Sequence, residues 1–455
     1  MKKSLLSVLM LLASICASAD GYTTNGDGNE YNFKKLSEIS GSGVIYNDGV
    51  YIVRGICTIA NGDHFAIDNG AVIEFDDDGE LVIQGTADLQ SAGATTVLRR
   101  HAESTGCIGI SVQSSNRTKV ENLSFDYVGL RGQGTAGMDV SGCSFANHSG
   151  NVSSALFVGG SGASFDITNC TFDHCRKAAV GGAANYVCIL KIDDCTFTSN
   201  SQANGNVPQL NLTASESIEI HNCTIIGDST LTMVGGIGIA NWLGTDGMYA
   251  NISGCTIKDN RYGITTIGIM EVDITDNILV NNKFEKNANN GGSGISLYDP
   301  YYKQKATISG NHIERNLWGI TVIGCGEVNI GKTEVDSNAP DYNPGNNIFK
   351  DNGNGGTAYD LYNNSSNTVY AQGNIWSVPT QDGENIETVI YHKTDDASLG
   401  EVIYLPAGDP SGIRTATIER HPAAIYRIDG TKVDGTQYDT LPHGMYIING
   451  KKVLR

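Results

Sequence analysis

One six-residue phrase recurs along this chain and leaves few folds open to it. It stands as Ile252-Ser253-Gly254-Cys255-Thr256-Ile257, and earlier copies occupy residues 140–145, 167–172, 192–197 and 220–225. Residues 274–279 and 308–313 repeat it with Asn277 and Asn311 in place of Cys, and weaker copies lie at 120–125, 346–349 and 373–376. Successive fourth positions, from Leu123 to Asn374, fall 20 to 36 residues apart. A period in that range marks a solenoid.

The wording of the phrase says which kind of solenoid. Position one is Val or Ile in the clear copies and position six is Phe, Ile or Leu, so the two have opposite parity. One straight strand cannot turn both inward, because side chains alternate faces. Position three supplies the break: Gly142, Asn169, Asp194, Asn222, Gly254, Asp276, Gly310, Asn346 and Gly373. Gly, Asn and Asp enter the left-handed backbone region at least cost. A second corner is expected five residues after position four, at His148, Cys175, Asn200, Asp228, Asn260, Asn282, Asn316 and Asn352. Gly263-Ile264 and Gly319-Ile320 then open a third short strand. Strand, corner, strand, corner, strand and return make one rung of an all-β, right-handed parallel β-helix.

The period, the Asn columns and the Gly-Ile strand starts resemble the pectin-lyase-like superfamily of parallel β-helices. The resemblance spans most of residues 44–406 and speaks for fold more than function, since that fold hosts lyases, hydrolases, adhesins and inert spikes. Residues 20–43 are expected to cap the first rung, with a short helix near Leu36. Residues 374–406, with Asn374-Ile375-Trp376, a short strand over 386–390 and Asp395-Asp396, resemble the closing segment of secreted β-helices. Residues 407–455 change pattern and read as a small antiparallel β module with Asp-Gly and Asn-Gly turns. Tyr426, Gly430 and Val433, with Leu441-Pro442-His443-Gly444-Met445-Tyr446-Ile447, resemble the C-terminal tails of secreted Bacteroidetes proteins related to type IX secretion sorting domains. That resemblance implies a sorting or anchoring tail.

Export is also read from the start of the chain. Met1-Lys2-Lys3, an apolar run over 5–12 and Ala17-Ser18-Ala19 form a secretory leader over residues 1–19. The apolar run is too short to span a membrane. Cys16 follows Ile15, a poor lipid-attachment context, so cleavage after Ala19 is preferred. The formal charge of −19 argues against a nucleic-acid partner. A secreted, cell-surface or periplasmic monomer without a transmembrane segment is expected.

Cys143, Cys170, Cys195, Cys223 and Cys255 share one inward position on five rungs. They read as packing thiols or as disulfides between rungs; packing is favoured because each rung already fixes its neighbours. One cysteine per rung in a line is not tetrahedral metal geometry. Asp76-Asp77-Asp78-Gly79-Glu80 reads as a turn before a calcium loop, so no cofactor and no metal site are expected. The outward column Ser144, Thr171, Thr196, Thr224 and Thr256 suggests an ice-binding face, but position seven holds Ala146, Asp173, Thr198, Ile226 and Lys258 and spoils any second regular column.

The spacing predicts that three rungs lengthen at one corner, just before position one. Trp242 and Asp246 fall in the first insertion, Tyr298, Asp299, Tyr301, Tyr302 and Lys303 in the second, and Asp336, Asp341 and Tyr342 in the third. Insertions in repeat proteins often line a binding face. Trp, Tyr and Asp stack on sugar rings and bond their hydroxyls, or else shield an irregular corner. Loose catalytic groupings are Asp299, Lys303 and Lys305; His312, Glu314 and Arg315; and Asp173, His174, Arg176 and Lys177. Each reads first as solvated surface. The hydrolase motifs of the superfamily, nucleophile triads and phosphate loops are absent. The expected function is glycan binding or attachment to envelope polysaccharide; the alternative is a polysaccharide lyase, before a hydrolase.

Overall fold

The computed structural model describes residues 21–410, apart from 103, 105, 106, 151–153, 183–187, 214, 215, 242, 243 and 245, and also 425–427, 445–448 and 451–454. The leader over 1–19, the Leu441–Gly444 stretch and Trp242 lie outside the described residues. The chain divides into a unit to Gly408 and a unit over Asp409–Arg455.

The first unit is a parallel β-helix of three long sheets, as the repeat predicts. Sheet A has 14 strands from Tyr22–Thr23 to Ile390–Tyr391, and sheet B has 14 from Glu30–Tyr31 to Val402–Ile403. Sheet C has 13, from the antiparallel pair Val44–Asn47 and Val50–Val53 to Ile348–Lys350. In the clear copies positions one and two end a sheet B strand, and positions five and six lie on sheet C. Every position-three residue between them has positive φ, from 51° at Asp194 to 70° at Gly310 and Gly373. The parity break is therefore a left-handed corner.

The second corner is one residue earlier than the sequence suggests. Positive φ falls at Asn147, His174, Ser199, Asp259, Asn281, Arg315 and Asp351. His148, Cys175, Asn200, Asn260, Asn282, Asn316 and Asn352 are the buried residues just after the bend. Asp228 belongs to neither group.

Both Asn columns have one physical cause. A bend removes an N–H from the strand ladder and buries it, where an unpaired donor costs about 1–3 kcal/mol. Asn311 Oδ1 accepts from Asn277 N at 3.0 Å, and Asn347 and Asn374 repeat this one and two rungs on. Asn282, Asn316 and Asn352 do the same for Asn260, Asn282 and Asn316 at 2.9–3.2 Å. In the earlier rungs cysteine takes the place: Cys195 Sγ accepts from Cys170 N at 3.4 Å and bonds to Asp193 O at 3.2 Å. The five column cysteines are buried free thiols. Beside them Phe125, Phe145, Phe172 and Phe197 stack at 4.6–4.9 Å between ring centroids.

The cap holds a helix over Phe33–Ser37 that buries Phe33 and Leu36. At the other end a helix, Gly383–Glu387 capped by Asp382, stands where a strand was expected; the strand there is only Ile390–Tyr391. Asp382 Oδ1 accepts from Asn385 N at 2.9 Å, the usual N-cap bond. The second unit pairs Ile425–Arg427, Met445–Ile448 and Lys451–Leu454 as an antiparallel sheet.

Candidate functional site

The predicted insertions do not line up on one corner. Residues 241–248 and 300–304 lie between sheets A and B, but a tight rung turning at 268–270 separates them. Residues 332–347 lie between sheets B and C. Asn329 pairs with Thr307, which makes the next residue, Ile330, the counterpart of Ile308 at position one, so Asp336, Asp341 and Tyr342 come after it. The third insertion therefore belongs to another edge of the prism.

Within the second insertion the named residues divide. Tyr298 and Asp299 belong to the sheet A strand Ser293–Asp299. Asp299 is fully buried, and its carboxylate accepts from Tyr301 N, Lys303 N and Gln304 N at 2.7–3.0 Å. It shapes the loop and offers no oxygen to solvent. That loop presents Tyr301 (70% exposed) and Tyr302 (48% exposed), with Lys303 also exposed. Asp246 is exposed on the earlier loop.

Sheet A carries what the repeat analysis missed. Alternation along its strands turns one column outward: Thr265, Ser296, Thr321, Tyr362 and Tyr391 stand side by side in register. The next outward column is Ile267, Tyr298, Ile323 and Asn364. Trp318, at the head of its strand, meets Tyr359 at 4.6 Å and Tyr362 at 5.1 Å; Tyr362 stacks on Tyr391 at 4.9 Å with the rings 19° apart. Trp318 Nε1 donates to Ala288 O, which fixes the indole. These rings are half-buried: ordered, yet open on one side. Each column member directly follows the apolar residue of the third strand, as in Leu361-Tyr362 and Ile390-Tyr391. That is the signal that could have found them.

The loose catalytic groupings resolve into ion pairs. Glu314 accepts from His312 Nε2 at 2.7 Å, from Lys350 Nζ at 3.3 Å and from Arg315. Burial alone would raise the Glu314 carboxyl, but these donors and the charges of Arg315 and Lys350 outweigh it and hold it below the usual range. A carboxylate so held is a poor general base near neutral pH. His174 pairs with Asp173 at 2.8 Å and Lys305 with Glu327 at 3.5 Å, all well exposed. Asp76 accepts within a turn from Gly79 N and from Ser104 Oγ. A cavity of about 620 Å³ lies against the cap, away from the aromatic face, among Glu30, Lys34, Lys35 and Glu38.

Two family models match parts of the chain. "Right handed beta helix region" covers residues 93–268 and "Periplasmic copper-binding protein (NosD)" covers residues 240–394. The fold is a right-handed parallel β-helix. Among solved structures, a mutant of the periplasmic alginate epimerase AlgG is 12% identical over 83% of this chain and 84% of its own, with a TM-score of 0.44. The pectate lyase Pel9A is 11% identical over 83% and 81%, with a TM-score of 0.27. No curated protein matches. Among the described residues no three His, Cys, Asp or Glu side chains converge. His312 and His392 are each tied to a glutamate. Among the described residues no helix is long and apolar enough to cross a membrane.

Proposed function

We propose that this is an exported or cell-surface protein that holds a glycan chain on the outward face of sheet A, without turning it over. The observation that carries the reading is the run Trp318, Tyr359, Tyr362 and Tyr391, with Tyr298 in the neighbouring column. Amphipathic rings fixed in place and open on one side are suited to stacking on the apolar faces of pyranoses. Thr265 and Ser296 supply hydroxyls between them, while Thr321 is buried with its hydroxyl on Ser293 Oγ. Tyr301, Tyr302 and Lys303 rise beside the same face and extend it. Trp242, Asp246 and the tail over 407–455 enter as proposals from the sequence alone, the first two for contact and the last for sorting or anchoring.

A glycan panel tests this directly. Binding that is lost in the Tyr362→Ala Tyr391→Ala double variant supports the reading; undiminished binding in that variant overturns it. The lyase alternative is tested by incubating the protein with polyuronates and calcium and following unsaturated ends. Their release would replace the binding reading with a catalytic one.

A further inference from the structure

The three faces of the prism do not share charge equally. On sheet B one outward column reads Asp139, Asp166, Lys191, Glu219, Asn251 and Asp273. On sheet C one reads Lys258, Val280, Glu314 and Lys350. On sheet A the corresponding column from Asn211 through Gly238, Thr265, Ser296, Thr321 and Tyr362 to Tyr391 holds no ionisable group except the two tyrosine phenols. Its neighbour, Thr213, Ala240, Ile267, Tyr298, Ile323 and Asn364, is likewise free of formal charge. Among the described residues formal charge returns toward the N-terminal end of the sheet, at Arg131 and Glu80, and on flanking segments at residues such as Lys303, Lys393 and Asp396.

In a chain with 49 acidic and 30 basic residues, two adjacent columns clear of formal charge, one over seven strands and one over six, need a cause. Solvent accounts for the Asn, Thr and Ser members, because the default dressing of an outward solenoid position is charged or polar, but not for Ile267, Tyr298 and Ile323 or for the stacked Tyr362 and Tyr391. An acidic polymer would call for cations along its track, and the floor has none. A chain of formal charge −19 also repels polyanions, more so at low salt. Pro208 and Tyr262 cover the column at Gly238; from Thr265 to Tyr391 five strands span four steps, roughly 19 Å at about 4.8 Å each, which accommodates several sugar rings in a row.

We infer that sheet A from Thr265 to Tyr391 takes an extended, uncharged polysaccharide laid along the helix axis, and not a polyuronate or sulfated glycan. This rests on the glycan-binding reading above. Hydroxyl and ring contacts carry the affinity, so it is insensitive to salt.

The experiment compares a mannan, a xylan and a β-glucan with polygalacturonate, alginate and a sulfated glycan, at low and high salt, using the intact protein. Binding to a neutral polymer that changes less than twofold with salt is expected. Ser296→Lys, which plants a cation on the floor, should weaken neutral binding about tenfold, the scale of a 1.4 kcal/mol loss, and create salt-sensitive affinity for polygalacturonate. Preference of the native protein for an acidic polymer, falling with salt, would overturn the inference while leaving glycan binding in place. Failure to bind any of the six would remove both. Thr168→Lys, on outward sheet B, should leave neutral binding unchanged; loss there would move the site off sheet A and overturn the assignment.

Discussion

From Leu123 to Thr198 the rungs turn their aromatic rings inward, where Phe125, Phe145, Phe172 and Phe197 stack behind a column of cysteines. From Ser293 onward the core beside the Asn columns is mostly aliphatic, with Phe349 and Trp376 as one inward pair. There Tyr298, Trp318, Tyr362 and Tyr391 stand on the outer face of sheet A. The same backbone thus spends its large rings on cohesion in one region and on presentation in the other. The corners follow suit. Sulfur is a weak hydrogen-bond partner, so the early corners lean on packing. The amide oxygen is a strong one, so the later corners stay fixed with less help from large side chains, which leaves rings available for the surface.

The largest test of this difference is Phe172→Ala, which should cost about 3–5 kcal/mol of stability by removing the middle of the inward stack. Tyr391→Ala, losing a ring of similar size from the outer face, is the matching control. Thermal unfolding measures both; equal losses would erase the distinction between the two regions.

Asp360 gives the later region a pH dependence. It closes the second Asn column, accepting from Asn352 Nδ2 at 3.1 Å and Ser377 N at 2.8 Å. Burial pushes its carboxyl up to about 7, with nearby Asp351 adding to the rise and the two donors opposing it. The folded state therefore favours the protonated group. Its stabilising share is full below the ordinary carboxylate value near 4 and fades as pH climbs toward 7. The fade is on the order of a few kcal/mol. Subtracting the melting curve of Asp360→Ala from that of the native protein across this range should isolate a falling difference; a flat or rising difference would contradict the assignment.

Asn311→Ala should cost about 2–3 kcal/mol, because it strands the buried Asn277 N–H. Cys195→Ala should cost less, about 1–2 kcal/mol, mainly through lost packing. Cys255→Asn sharpens the point: it extends the amide column by one rung and should leave the melting midpoint within a few degrees. A collapse of that variant would show that the two columns are not alternative solutions to one problem. Smallest in stability is Tyr391→Ala itself, expected below about 1 kcal/mol as a partly exposed change, although it weakens glycan binding about tenfold.

The corners were legible because each needs a residue type that tolerates positive φ, and Gly142, Asn169 and Asp276 announce it one rung after another. The second corner was misplaced by one residue because the recurrent Asn there serves a hydrogen bond after the bend, while the bent residue itself varies among Asn147, His174, Ser199 and Arg315. Loop position was read wrongly at Asp341 because length alone does not say which edge of a rung has grown. The outer aromatic face stayed hidden for a related reason. Successive members Tyr298, Tyr362 and Tyr391 lie 64 and 29 residues apart, and only strand register brings them together.

Hydroxyl-radical footprinting of tyrosine and tryptophan side chains, with and without saturating neutral glycan, tests the central claim most directly. The account predicts that Tyr298, Trp318, Tyr362 and Tyr391 lose reactivity while Tyr249 and Tyr370, on the outward face of sheet B, do not. Shielding of Tyr249 and Tyr370 with the sheet A rings unchanged would contradict it.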